Sequence, residues 1–233
     1  MIPIGEGRRL PIFPIVVHVL IALNVYVFIS EASTPNIDRF INAWATIPYD
    51  LTHSVQLDPP SPPTAATLVT AMFFHGSWLH LGFNMLFLFV FGPQIEYLCG
   101  HTRFAALYLA AGLVGNIAQV VVDPASHIPA IGASGAIAGV LGAYIVTFPT
   151  ARVNTIVPIG CFPLFLQLPA VIVIGLWAAT QFMHGYGALT AHVSTEQGGT
   201  AYFAHIGGFT FGALTIAWFR IRSGALPRFR YHA

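Results

Sequence analysis

Apolar residues along this chain fall in long continuous stretches, and charged residues interrupt them only at wide intervals. Uncharged runs cover 10–30, 59–95, 104–122, 124–151, 153–195 and 197–219. A bilayer core about 30 Å thick needs roughly 20 apolar residues in a helix, so each run can hold a spanning segment. The run from 59 opens Pro-Pro-Ser-Pro-Pro-Thr, which is loop chemistry, and leaves one helix from about Gly76. In the run from 153, Pro158, Pro163 and Pro169 break up the first part, and the stretch 170–182 anchors one span. The pattern predicts an all-α membrane protein. Its helices lie at about 10–30, 76–98, 104–122, 133–149, 168–184 and 201–220, with an outer loop over 31–75. Within that loop Phe40, Ile41, Trp44 and Ile47 recur at helical spacing, as expected of a segment lying in the membrane interface.

Composition agrees and excludes other classes. The chain is 56% hydrophobic and 7% charged with a mean hydropathy of +0.74, against about 25% charged in an ordinary soluble domain. That rules out a soluble globule, and disorder as well, since disordered chains are rich in charge. A net charge of +1 offers no footprint for nucleic acid. The partner expected from composition is the lipid bilayer. All nine basic residues are arginine. With the N-terminus in the cytoplasm, Arg8, Arg9, Arg103, Arg152, Arg220, Arg222, Arg228 and Arg230 fall inside and only Arg39 outside, a strong positive-inside bias. We therefore expect six spans, both termini cytoplasmic and a single domain over 1–233. The first helix does not read as a cleaved signal peptide. Cys99 and Cys161 fall near the inner face, where no disulfide is expected.

Ionisable residues at membrane depth are functional candidates by default. His18, His53, His101, His127, His184, His192 and His232 read as solvated or interfacial. The second helix carries His80 and Asn84, four apart and so on one face. Alone, the pair reads first as interhelical glue. The fourth helix opens Gly132-Ala-Ser134-Gly135-Ala-Ile-Ala-Gly139, and its small residues let a neighbouring backbone approach. Ser134 there is either one more small residue or a nucleophile at a helix N-terminus, where free amides favour negative charge. The sixth helix places His205, Gly208 and Gly212 on one face. In the six-span topology these three helices all start from the outer side, so His80, Asn84, Ser134 and His205 share a depth. A hydroxyl, an imidazole and two side-chain donors are the parts of an acyl-transfer site. No Asp or Glu is expected in the outer half of any helix, Glu96 lying at the inner end of the second. The site therefore reads as a Ser-His dyad with its imidazole oriented by packing.

These residues resemble the rhomboid family of intramembrane serine proteases. The likeness rests on His75-x4-His80-x3-Asn84, Gly132-x-Ser134-Gly135 and Ala204-His205-x2-Gly208-x3-Gly212, and runs from about Met72 to Phe219. It implies a six-helix rhomboid-like bundle, Ser134 as nucleophile and His205 as general base. It further implies an oxyanion hole of His80, Asn84 and the Ser134 amide, with Gly132, Gly135, Gly139, Gly208 and Gly212 packing the helices around it. No cofactor or metal is implied. Substrates would be membrane proteins cut near the outer end of a transmembrane helix, in a prokaryotic inner membrane, with the fifth helix and the 185–200 segment as moving parts. Two departures are visible: Ala138 stands where many members carry an aromatic, and the first loop has no Trp-Arg pair. Rival classes are a transporter, a cytochrome with His80 and His205 as axial haem ligands, and a non-catalytic membrane chaperone of related fold. A zinc protease is disfavoured because HExxH is absent.

Overall fold

The computed structural model describes residues 1–7, 10–55, 61–160, 162–190 and 201–223. Arg8, Arg9, Cys161, His192, Arg228, Arg230, His232 and most of the expected 185–200 segment lie outside them. The protein is mostly helical. Helix α1 (Ile15–Ala32) is followed by a long first loop, which holds α2 (Ile37–Trp44), α3 (Pro48–Thr52) and α4 (Thr67–Thr70). Then come α5 (Trp78–Cys99), α6 (His101–Val122), α7 (Ser134–Thr147), α8 (Ala170–Thr190) and α9 (Tyr202–Ser223). Among the described residues α1, α5 and α6 are long and apolar enough to cross a bilayer. Helices α8 and α9, at 21 and 22 residues, reach a similar length, about 31–33 Å at 1.5 Å per residue. Helix α7 has only 14 residues and is buried continuously from Gly135 to Tyr144.

Small residues decide how the bundle closes. A Cβ at Gly208 would fall on the carbonyl oxygen of Gly135, one at Gly212 on that of Gly139, and one at Gly142 on that of Phe209. Helices α7 and α9 thus meet backbone to backbone, at a separation only glycine permits. Helix α6 joins the same seam through Gly115, which faces the carbonyl of Ala204, and through Ala111, which fills the space beside Gly139. Around this seam Phe91, Phe104, Tyr108, Leu141 and Tyr144 form a closed core. The opposite ends of α1 and α5 are tied by Glu96, fully buried, whose oxygens accept from Val16 N and Val17 N, both at 2.8 Å. These are the orphan amides of the first turn of α1, and a carboxylate also suits that end of the helix dipole.

The all-helical expectation needs one correction. Three antiparallel strands, β1 (Ile2–Glu6), β2 (Arg152–Ile159) and β3 (Phe162–Pro169), form a sheet in the order β1-β2-β3. The prolines that exclude helix there do not exclude strand. Pro158 pairs with Pro163 at one end of the β2–β3 ladder and Pro169 with Arg152 at the other. Proline is tolerated in sheets at such edge and terminal positions. Between them Val153 and Thr155 alternate inward, each at most 1% exposed. Gly5 and Glu6 of β1 share a groove with Phe89, Val90, Pro93 and Gln94 of α5. A second difference is at the far end of α8, which continues through Gly185 and Gly187 to Thr190 instead of giving way to a loop at 184.

The first loop is anchored without a Trp-Arg pair. Thr46 and Ala130 exchange backbone hydrogen bonds at 3.1 and 2.9 Å, Thr46 Oγ1 donates to Thr67 O, and Asn116 Nδ2 reaches across from α6 to Leu68 O. Of the residues at helical spacing in the loop, Phe40, Ile41 and Trp44 lie on α2, and Ile47 lies beyond it at the start of α3. The Phe40 and Trp44 rings pack with Phe74 at centroid distances of 5.5 and 5.9 Å.

Candidate active site

The site lies where α5, α7 and α9 begin. Gly132, with φ +123°, turns the chain into α7 in a conformation closed to side-chain-bearing residues. Ser134 is the first residue of the helix, so the amides of Ser134, Gly135 and Ala136 lie in the turn without intrahelical acceptors. One turn into α9 stands His205, 7% exposed. Its Nε2 lies 2.7 Å from Ser134 Oγ. The glycine seam brings the two together, because Gly208 and Gly212 set the depth at which α9 rests on α7.

Both His80 and Asn84 project from α5 into the same cleft of about 670 Å³, together with Ser134, His205 and Trp177. The edge of the His80 ring lies against Gly132, where a Cβ would come within 2.8 Å of its Nε2. At the other side of the ring, Nδ1 donates to His75 O at 2.7 Å. With Nδ1–H so committed, the ring can donate from Nε2 only as an imidazolium. Asn84 is 7% exposed, and its Nδ2 has no hydrogen-bond partner among the described residues. A buried amide donor left unmade costs about 1–3 kcal/mol, which marks it as a group held ready for an acceptor.

The turn that carries His75 is itself held from α1. Glu31, in the last turn of that helix and fully buried, accepts from His75 N at 3.0 Å and Gly76 N at 2.7 Å. Here the expectation of no carboxylate in the outer half of a helix fails. Glu31 ends one uncharged run, and only the folded chain shows that it turns inward. Burial, reinforced by the neighbouring His80, pushes the His75 imidazole down to about 4. That ring is therefore neutral, and its role is through its backbone.

Two more neighbours of His205 come from α8. Gln181 Oε1 lies 2.7 Å from His205 Nδ1, and the Trp177 ring packs 5.8 Å from the imidazole at a tilt of 39°. Where the resemblance leads one to expect an aromatic stands Ala138, fully buried; the aromatic beside the imidazole is Trp177, on a different helix. The orientation expected from packing alone is supplemented by a hydrogen bond. A lone glutamine in an apolar run was the signal available, since polar groups are costly at membrane depth.

Similarity to known proteins points the same way. The family profile described as Rhomboid domain matches residues 62–222. This chain belongs to the rhomboid family. It is 28% identical over 202 residues to Rhomboid protein 1, mitochondrial, of Saccharomyces cerevisiae, an alignment covering 85% of this rhomboid and 51% of the yeast protein. It is 33% identical over 150 residues to the rhomboid protease GluP of Bacillus subtilis, covering 64% of this chain and 25% of that one. Against the human presenilin-associated rhomboid-like protein, mitochondrial, it is 33% identical over 118 residues, covering 49% and 31%. The chain thus spans about half or less of the length of these relatives. With its apolar helices and family, this rhomboid is an integral, multi-pass membrane protein.

Proposed function

We propose that this rhomboid is an intramembrane serine endopeptidase that cuts transmembrane segments of other membrane proteins near the outer face. The observation that carries the proposal is the 2.7 Å approach of His205 Nε2 to Ser134 Oγ inside a cleft. Glycine packing supports it by making the approach a property of the helix seam. The reading includes a single domain over 1–233 with six spans and cytoplasmic termini, in the inner membrane of a prokaryotic cell. Helices α5, α7 and α9 then all begin at the outer side.

In the reaction Ser134 Oγ attacks the scissile carbonyl carbon and its proton passes to His205 Nε2. The tetrahedral oxyanion is met by the Ser134 amide and Asn84 Nδ2, and by His80 once its Nε2 has taken up a proton. Collapse breaks the C–N bond, and the leaving amine takes the proton from His205. Water then repeats the sequence on the acyl-enzyme, releasing the new carboxylate and restoring Ser134. Substrate helices hide their carbonyls in hydrogen bonds, so cleavage favours sites with Gly, Pro or other helix-weakening residues.

Among the described residues that line the cleft there is no carboxylate or arginine to support the transporter reading, and the haem reading leaves the Ser134–His205 contact without a purpose. The deciding experiment compares membranes carrying the wild type and Ser134→Ala for released ectodomains. Ectodomains lost in the variant support the protease, and identical release from both sinks it in favour of a non-catalytic relative. Asn84→Ala tests the oxyanion role. Removal of one donor is expected to slow turnover by about 10²- to 10³-fold with folding retained. Full-speed cleavage with a lowered melting temperature would make Asn84 helix glue. Reporter fusions near Asp123 and after Arg152 should read external and cytoplasmic, and the opposite result would break the topology.

A further inference from the structure

We infer that Gln181 is a positioning residue for His205, holding the imidazole in the one neutral tautomer that can take a proton from Ser134. The inference rests on the dyad reading above. His205 has two hydrogen-bond partners among the described residues, Ser134 Oγ at Nε2 and Gln181 Oε1 at Nδ1, both at 2.7 Å. A neutral imidazole carries one N–H, and an amide oxygen can only accept. Nδ1 therefore carries the hydrogen, and the Nε2 lone pair faces the Ser134 hydroxyl.

The amide itself is not free to turn over. Gln181 Nε2 donates to Thr180 Oγ1 at 3.1 Å, and that hydroxyl spends its own hydrogen on Trp177 O at 2.6 Å. Turning the amide by 180° would set its oxygen against the Thr180 hydroxyl oxygen, whose hydrogen is already committed to Trp177 O. One turn of α8 thus carries a relay whose only consistent polarity presents an acceptor to His205. Trp177, one turn below Gln181, closes the same ring from its face. The arrangement does with a neutral amide what the carboxylate of a catalytic triad does for orientation. When Ser134 gives its proton to Nε2, the Nδ1–H stays in place and Gln181 accepts throughout, so no proton moves onto the amide.

The test uses the purified full chain in detergent and a fluorophosphonate probe. Labelling requires only that Ser134 Oγ displace fluoride from phosphorus while His205 takes the hydroxyl proton, so it does not depend on an identified substrate. Gln181→Leu is expected to label about 10- to 10²-fold more slowly, the scale of a misplaced catalytic group. In 15N-histidine spectra its His205 signals should lose the pattern of a single Nδ1–H tautomer. Gln181→Glu, which keeps an acceptor oxygen in the same place, should restore that pattern and most of the rate. Thr180 is solvent- or lipid-exposed, so Thr180→Val is a substitution the fold tolerates. It frees the amide to turn and should slow labelling by a smaller factor, about 2- to 5-fold, which keeps the test decisive if Gln181→Leu does not fold. Wild-type labelling and an unchanged tautomer in Gln181→Leu, or in Thr180→Val where that must stand in, would overturn the role of Gln181 while leaving the dyad standing. Failure of Gln181→Glu to restore either readout would reduce the residue to space-filling and overturn it too. Undiminished labelling of Ser134→Ala would overturn the dyad and the inference with it.

Discussion

Helices α7 and α8 both serve His205, and they are built on opposite principles. Helix α7 is buried without a break from Gly135 to Tyr144 and touches α9 through backbone atoms at Gly135, Gly139 and Gly142. Helix α8 turns Val171, Ile172, Leu176, Phe182, Met183 and Tyr186 outward, between 42% and 73% exposed. A Cβ added at its Gly175 would meet nothing within 4 Å. The distance between Ser134 and His205 is thus set by contacts that have no side-chain freedom. The tautomer and tilt of the imidazole are set by Gln181 and Trp177, which reach in from the loosely packed helix. Ser134 and His205 cannot drift apart, while the glutamine proposed to orient the imidazole sits on the more loosely packed of the two helices.

This contrast can be broken or sharpened by substitution, beginning with the site itself. Ser134→Ala and His205→Ala should each abolish measurable cleavage, a loss of roughly 10⁶-fold in kcat for a group acting as one unit with its partner. Cleavage surviving either change would mean the α7–α9 seam serves packing alone. Gly212→Ala comes next, because its methyl would coincide with the carbonyl oxygen of Gly139 and backbone cannot step aside. The cost should be about 3 kcal/mol, read as a lower melting temperature together with slower cleavage as α9 lifts from α7. Glu31→Gln puts an NH2 where an oxygen accepts from the His75 or Gly76 amide. A charged hydrogen bond lost there should cost about 2 kcal/mol and loosen the turn that orients His80, seen as a fall in both stability and rate. Gly175→Ala is the smallest effect and has the opposite sign. In the open middle of α8 it should raise stability by about 0.5–1 kcal/mol. If it destabilised as Gly212→Ala does, α8 would be as tightly seated as α7 and the comparison would fail.

Much of the site was legible before folding. His80, Asn84, Ser134 and His205 stand out because each is a polar group in an apolar run, and bilayer energetics make such residues rare without a purpose. The glycines around them signal close approach, and Gly135, Gly139, Gly208 and Gly212 do form the seam. The strands were not legible. Pro158, Pro163 and Pro169 were read as breakers of helix, yet which breakers end a ladder and which interrupt it depends on the register Arg152↔Pro169 through Ile159↔Phe162. Glu31 and Gln181 were missed for a related reason. Glu31 reaches His75 and Gly76, 44 and 45 residues along the chain, and Gln181 reaches His205, 24 residues along it.

The sequence by itself determined that this chain lives in a membrane and which polar residues interrupt its apolar helices. Those conclusions follow from transfer energetics and from spacing along one helix, and both are properties of a linear pattern. Only the tertiary structure decided that the imidazole is held by an amide from α8, that the His80 ring has its Nδ1 committed to His75, and that the strands pair β1 with β2 and β2 with β3. A hydrogen bond exists only at a distance and angle, and a one-dimensional pattern contains neither. Hence Ser134 and His205 could be named from their types, while the geometry that would make one a base for the other had to be seen.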